Sequence, residues 1–183
     1  MESAHNHKKH VLITDIGTFL GSTLALSLIK DHFTVYGVGV KRIPQDLLSS
    51  HNFVLLEMDL SQPLPQYLPH FDVIFDLSML EKNRGISQTP HISPQISNSV
   101  MLARQKGSRV IIFSSVKTDE DFYNHITSNQ KDLEEKIALV LIGDVYGPKM
   151  PLSDENKLTN LIKQAVQTDK IILDHEGLEH VYP

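Results

Sequence analysis

A glycine-bearing turn between an apolar strand and a helix is the part of this chain best suited to chemistry, and it lies in His10 to Gly21, HVLITDIGTFLG. Such a turn aims backbone N–H groups and the positive end of the helix dipole at a phosphate. In the dinucleotide-binding fingerprint the first glycine makes the tight turn, the second admits the pyrophosphate and the third lets the helix pack on the strand. Read as Thr14-Asp15-Ile16-Gly17-Thr18-Phe19-Leu20-Gly21, the loop has Asp15 and Thr18 at the first two sites and Gly21 at the third, with Gly17 one position early. A carboxylate at Asp15 would repel the phosphates. The expectation is a retained architecture with reduced or lost affinity for an ordinary cofactor.

Other clusters offer less. His5, His7 and His10 alternate as imidazole ligands can, but a disordered polar terminus over 1–9 is the simpler reading, and no metal site is expected. Asp119, Glu120 and Asp121 suit the start of a helix. The absence of cysteine excludes thiolate catalysis and disulfides. A net charge of −5 offers no basic field for nucleic acid. The polar N-terminus and the short, interrupted apolar runs suggest neither a signal peptide nor membrane insertion, so a cytoplasmic protein is expected.

Positioning the loop requires a sheet, and at 183 residues and 40% hydrophobic the chain suits one compact domain. Short β-branched runs at Val11–Thr14, Thr34–Val40, Phe53–Met58, Val73–Leu77, Arg109–Phe113 and Ile137–Ile142 read as buried strands. Helical spacing predicts helices over Phe19–Lys30, Ser97–Gln105, Asp121–Lys136 and Ser153–Gln167, with a strand-like Lys170–Leu173 beyond. Leu80–Pro94, with Gly85 and Pro90, reads as a loop over the carboxyl edge of the sheet. Alternation of strand and helix predicts an α/β, Rossmann-like, doubly wound and mostly parallel sheet with helices on both faces, as a single domain over 10–183.

Taken in order, VLITDIGTFLGSTLALSLI, MDLSQP, DVIFDLS, LARQKGSRVIIFSSV and LVLIGDVYGPKMP resemble the extended short-chain dehydrogenase/reductase family, especially its nucleotide-sugar epimerases and dehydratases. The likeness runs from about Val11 to Tyr182 and rests on the joint order and spacing of the motifs. It implies NAD or NADP, with Gly17, Thr18, Phe19, Leu20 and Gly21 around the phosphates. The family's acidic ribose ligand after the second strand falls at or near Gly39. Lys41 and Arg42 follow, placed either to hold a 2′-phosphate or simply as solvated charges. Asp59 and Leu60 match the family's adenine contact, and an aspartate capping a turn explains them equally.

The family's chemistry uses a tyrosine, a lysine four residues later and a nearby hydroxyl. Here the tyrosine is Tyr123, Thr127 stands in the lysine's place, and Lys131 lies two turns away. Ser114 and Ser115 follow the fifth strand as in the family, but Val116 and Lys117 stand where the catalytic hydroxyl is usual, leaving Ser115 as a candidate and Thr118 as a substitute only if the loop is rebuilt; both serines otherwise read as strand-end residues that bond turn backbone. Tyr146 and Gly147 match the family's pocket-shaping turn, or are an ordinary turn over a packed aromatic. Lys170–Tyr182 resembles the opening of the family's substrate lobe, most of which is missing, so a shortened member or the first domain of a longer polypeptide is expected.

Three functions follow. The favoured one is a degenerate nucleotide-binding or protein-interaction module, with a nucleotide or nucleotide-sugar ligand and a protein partner or fused domain. The alternative is an active NAD(P)-dependent epimerase, dehydratase or reductase with Tyr123 as acid/base. A purely structural domain with a closed crevice is the third possibility.

Overall fold

The computed structural model describes residues 9–39, 43–62, 65, 67–82, 93–115, 136–143, 145–148, 150 and 157–168. The chain divides into two compact units, Met1–Val145 and Tyr146–Pro183.

The first unit is built on a six-stranded sheet: β1 (His10–Ile13), β2 (Thr34–Val38), β3 (Phe53–Leu56), β4 (Val73–Asp76), β5 (Arg109–Ser115) and β6 (Ile137–Ile142). Their order is β3-β2-β1-β4-β5-β6, and every pairing is parallel. The order reverses between β1 and β4, where a doubly wound sheet opens its ligand crevice. The helices are α1 (Phe19–Lys30), α2 (Gln45–Leu48), α3 (Ser78–Lys82) and α4 (Pro94–Lys106).

Alternation along the strands sends side chains to two cores. Val11, Ile13 and Val35 pack with Ala25 of α1 and Leu47 of α2. Leu12, Ile74, Val110 and Ile112 pack with Ile96, Val100, Leu102 and Ala103 of α4 on the opposite face. The Rossmann-like doubly wound fold expected from the alternation is therefore present, with helices on both faces.

Element ends differ from the sequence expectation where distant partners intervene. β1 begins at His10, whose N–H donates to Asp72 Oδ2 at 2.8 Å while its carbonyl accepts from Asp72 N at 2.8 Å. β5 extends to Ser115 because β6 pairs with it through Ser115 and Ile142. α4 begins at Pro94 rather than Ser97, because Ser93 caps it by accepting from Ile96 N–H at 3.4 Å and proline suits the first helical turn. The expected loop Leu80–Pro94 is likewise shortened at both ends by α3 and α4. The helix expected at Asp121–Lys136 and the strand expected at Lys170–Leu173 lie outside the described residues, except for Lys136.

The end of α4 supplies a direct test of local backbone chemistry. Gly107 closes the helix at φ 71°, and a Cβ there would meet nothing nearer than Lys136 Nζ at 4.0 Å. Only the left-handed backbone then opposes a side chain, so Gly107→Ala is expected to cost about 1–2 kcal/mol. Urea unfolding checks this, and an unchanged midpoint would be the contrary result.

The second unit contains α5 (Lys157–Thr168), overlapping the helix expected at Ser153–Gln167, whose first four positions lie outside the described residues. It buries Thr159 and exposes Val166. Among the described residues of the chain, no helix is long and apolar enough to cross a membrane.

Candidate nucleotide site

The loop between β1 and α1 is held from both sides. Thr14, fully buried, donates its N–H to Phe75 O at 3.0 Å, and its Oγ1 accepts from Leu77 N at 2.8 Å, which ties the end of β1 to the end of β4. Ile16 N–H donates to Val38 O at 3.0 Å, which ties the loop to the end of β2.

Asp15 occupies the left-handed region at φ 49°, whereas Gly17 has no positive φ. The residue in the unusual conformation is thus the one at the first glycine site of the fingerprint. Aspartate enters that region more readily than most residues, at some conformational cost. Its carbonyl accepts from Thr18 N at 3.0 Å and from Thr18 Oγ1 at 2.8 Å.

Thr18, at the second glycine site, is the N-cap of α1. Its backbone is extended and its Oγ1 accepts from Gly21 N–H at 3.0 Å. The cap leaves the N–H groups of Phe19 and Leu20 without hydrogen-bond partners among the described residues. These are the donors that a helix start offers to an anion. At Gly21 a Cβ would lie 2.5 Å from Asp15 O and 3.0 Å from Thr18 Oγ1, so the close approach of helix and loop requires glycine.

At the next strand end, Asp59 is exposed and its Oδ1 accepts from Ser61 N–H at 2.8 Å, while Leu60 is buried. Hydrogen bonding to Ser61, first through the backbone and then through the side chain, lowers the Asp59 pKa from the ordinary carboxylate value. Asn98 of α4 donates Nδ2 to Leu60 O at 2.7 Å and to Gln62 O at 3.0 Å, bracing the turn against the helix. Turn capping by Asp59 is the geometry present. The role of Asn98 was hidden in the sequence because its partners lie 36 and 38 residues away.

Asp76 also escaped sequence reading. It ends β4 beside β1, is fully buried, and its Oδ1 accepts from Ser78 N at 3.0 Å and from Ser78 Oγ at 2.6 Å. Thr14 Oγ1 lies at the limit of hydrogen bonding, 3.5 Å from the same oxygen. Oδ2 is buried without a partner among the described residues. The only sequence signal was an aspartate in an otherwise apolar strand, VIFD.

The proposed catalytic side chains are not brought into view. Tyr123 and Thr118 lie outside the described residues, as do Arg42, Lys41 and Lys131, and only the backbone of Ser115 is described. Ser114 is fully buried on β5. Tyr146 is exposed, and Gly147 O accepts from Met150 N at 3.1 Å in a short turn. An aromatic packed beneath the turn is therefore not the arrangement there. Among the described residues no group of three or more His, Cys, Asp or Glu side chains could hold a metal.

The curated relative UDP-glucuronic acid decarboxylase 1 of Xenopus tropicalis is 22% identical over 93% of this chain and 49% of its own. UDP-galactose 4-epimerase superposes with a TM-score of 0.63, at 17% identity, over 89% of this chain and 64% of its own. An NAD-dependent NDP-hexosamine 5,6-dehydratase of tunicamycin biosynthesis gives a TM-score of 0.61, at 15% identity, over 93% and 65%. The fold is that of the nucleotide-sugar epimerases and dehydratases. This chain spans about half the length of the curated relative it matches. No protein-family model matches it.

A dinucleotide meets two different halves in this epimerase-type fold. On the phosphate side, the N–H groups of Phe19 and Leu20 have no partner among the described residues and Gly21 keeps the helix close to the loop, while Asp15 stands at the first glycine site. On the ribose side, Gly39 stands at or near the place where the resemblance expects a carboxylate to accept from the sugar hydroxyls.

Proposed function

We propose that this chain is a nucleotide-binding domain of the epimerase/dehydratase type that holds NAD, NADP or the nucleotide of a nucleotide-sugar weakly, without turnover. The observation that carries this reading is the α1 entry loop. It keeps a helix start with available donors and the obligatory Gly21, but carries Asp15 at the first glycine site. The N–H groups of Phe19 and Leu20 would bind the phosphate, and the Asp15 carboxylate would oppose it. Sequence supports the absence of turnover, because Thr127 replaces the lysine expected four residues after Tyr123 and the loss of such a group costs roughly 10²–10⁴-fold in rate. A protein partner or fused domain would then use the domain as a ligand-dependent or structural support.

Calorimetric titration with NAD, NADP and a UDP-sugar at low salt tests the reading. Dissociation constants no tighter than about 0.1 mM are expected, with no product formed. Micromolar binding accompanied by turnover would overturn it.

The opposition from Asp15 can be isolated. Asp15→Gly removes the carboxylate and relieves the left-handed strain, so it is expected to tighten dinucleotide binding roughly tenfold, about 1.4 kcal/mol, the upper part of what a charge at a helix terminus contributes. The same titration on the variant checks this. Unchanged or weaker binding would mean that the carboxylate does not face the phosphates.

A further inference from the structure

We propose that Ile16 is a positioning residue for the phosphate-binding start of α1: its side chain fills the gap over Gly37 and so keeps the N–H groups of Phe19 and Leu20 where a phosphate meets them. This inference rests on the nucleotide-binding reading above and deepens it, by naming what holds the donors in place.

The β1–α1 loop leaves from one fixed point and ends on another. Thr14 is tied to β4 through Phe75 O and Leu77 N, and Thr18 caps α1 while its own N–H donates to Asp15 O at 3.0 Å. Ile16, midway between them, is fixed by both its main chain and its side chain. It is fully buried, although its neighbours Asp15 and Gly17 are partly exposed. Its N–H donates to Val38 O at 3.0 Å, beyond the last β1–β2 register pair at Ile13 and Gly37. That bond draws the loop onto the end of β2.

The side chain completes the anchor. A Cβ at Gly37 would lie 2.6 Å from Ile16 Cγ1 and 2.8 Å from Phe53 Cε2, closer than packed carbons approach. The missing side chain of this buried strand residue leaves a gap, and Ile16 fills it beside the Phe53 ring of β3. Glycine inside a strand often marks such a close approach. Ile16 shares its buried cluster with Val11, Ile13, Val35, Ala25 and Leu47. A smaller residue at 16 therefore leaves a cavity, and a side chain at 37 drives the isoleucine out.

The functional consequence is one of affinity. Asp15 and Thr18 stand at two of the three glycine sites, so the loop takes its shape from the left-handed turn at Asp15 and the anchored isoleucine after it. Donors held by contacts within the chain need little ordering when a ligand binds, whereas donors on a loosened loop must first be ordered. Loss of the anchor thus weakens every ligand held through its phosphates, by the same factor whatever else the ligand carries.

The experiment is calorimetric titration of the full chain with inorganic pyrophosphate and with ADP at low salt, with thermal unfolding followed alongside. The variants are Ile16→Val, Ile16→Ala, Gly37→Ala, the double variant Ile16→Ala with Gly37→Ala, and Ile112→Ala. The last makes the same cut in the core on the opposite face of the sheet and controls for general loosening. Ile16→Ala is expected to weaken both ligands equally, by about fivefold or more, with Ile16→Val between it and wild type. Ile16→Val carries the test if Ile16→Ala does not fold. Gly37→Ala is expected to weaken both ligands by about threefold or more, although it changes a strand and not the loop, and to cost less affinity beside Ile16→Ala than alone. Ile112→Ala is expected to lower Tm and to leave both affinities within about twofold of wild type.

Folded Ile16 and Gly37 variants that bind as wild type does would overturn the inference while leaving the nucleotide site standing. So would an Ile112→Ala variant that loses as much affinity as Ile16→Ala, or an Ile16→Ala variant that loses ADP and keeps pyrophosphate. A folded wild type that binds neither ligand overturns the nucleotide reading, and the role of Ile16 falls with it.

Discussion

Gly21→Val is expected to destabilise the chain by about 3 kcal/mol, at the upper end of what overpacking costs, and to abolish nucleotide binding. The first added carbon alone would stand 2.5 Å from the carbonyl of Asp15, and the neighbour in the way is backbone rather than a side chain that can rotate aside. That carbonyl also accepts from Thr18 N and Thr18 Oγ1, and Thr18 Oγ1 in turn caps Gly21 N–H. To make room, the helix must withdraw from the loop or the loop must leave its cap. Either movement displaces the Phe19 and Leu20 donors from the place where a phosphate would meet them. Urea unfolding and the nucleotide titration together check this. An unshifted midpoint would show that α1 does not approach the loop as closely as its geometry indicates.

Asp76 gives the second large effect, and here the sign depends on the replacement. Asp76→Ala is expected to cost about 3 kcal/mol, because it strands the Ser78 N–H and hydroxyl in a buried site, at about 1–3 kcal/mol for each unsatisfied group. The covalent change is small, but those donors organise the start of α3 and the turn that Thr14 joins through Leu77 N–H. Asp76→Asn keeps the oxygen that accepts and removes the charge from a site where Oδ2 has no partner among the described residues. It is expected to unfold at the same urea concentration as wild type or higher, since a buried charge without compensation is costly. If alanine and asparagine destabilise equally, the carboxylate is held by its charge and not by the Ser78 hydrogen bonds.

These predictions act on different parts of the switch point between β1 and β4. Gly21 and Asp15 act on the α1 entry loop, Asp76 on the β4 end, and Thr14 connects the two through backbone and hydroxyl contacts. A ligand bound at the switch point would touch structure set by all three elements. The fold alone does not assign an activity, since one architecture hosts many functions. The assignment proposed above therefore rests on the loop residues.

Much of the architecture was legible because it depends on local pattern. Short β-branched runs alternating with helical spacing allow little besides a parallel sheet with crossover helices, and α1 occupies Phe19–Lys30 as that spacing implies. The need for glycine at 21 was legible too, since a helix entering directly from a strand must pack tightly on its own loop. The departures at Asp15, Thr18 and Gly39 are substitutions against a known spacing, visible without coordinates.

What tertiary structure alone decided concerns partners far apart in sequence. The bonds from Leu77 N–H to Thr14 and from Thr14 to Asp76 join residues 63 and 62 positions apart. The apolar run VIFD suggests that Asp76 is buried, but no local pattern shows its bonds to Ser78 or its second oxygen without a partner among the described residues. Gly37 looked like an ordinary strand residue until Ile16 was found filling the space its missing side chain leaves. Sequence by itself determined the strands, the helices and the chemistry a residue type can offer at a known spacing, because those follow from bonds and periodicity within a few residues. Only the tertiary structure decided which side chains share a buried volume, because close packing couples positions through space and not along the chain.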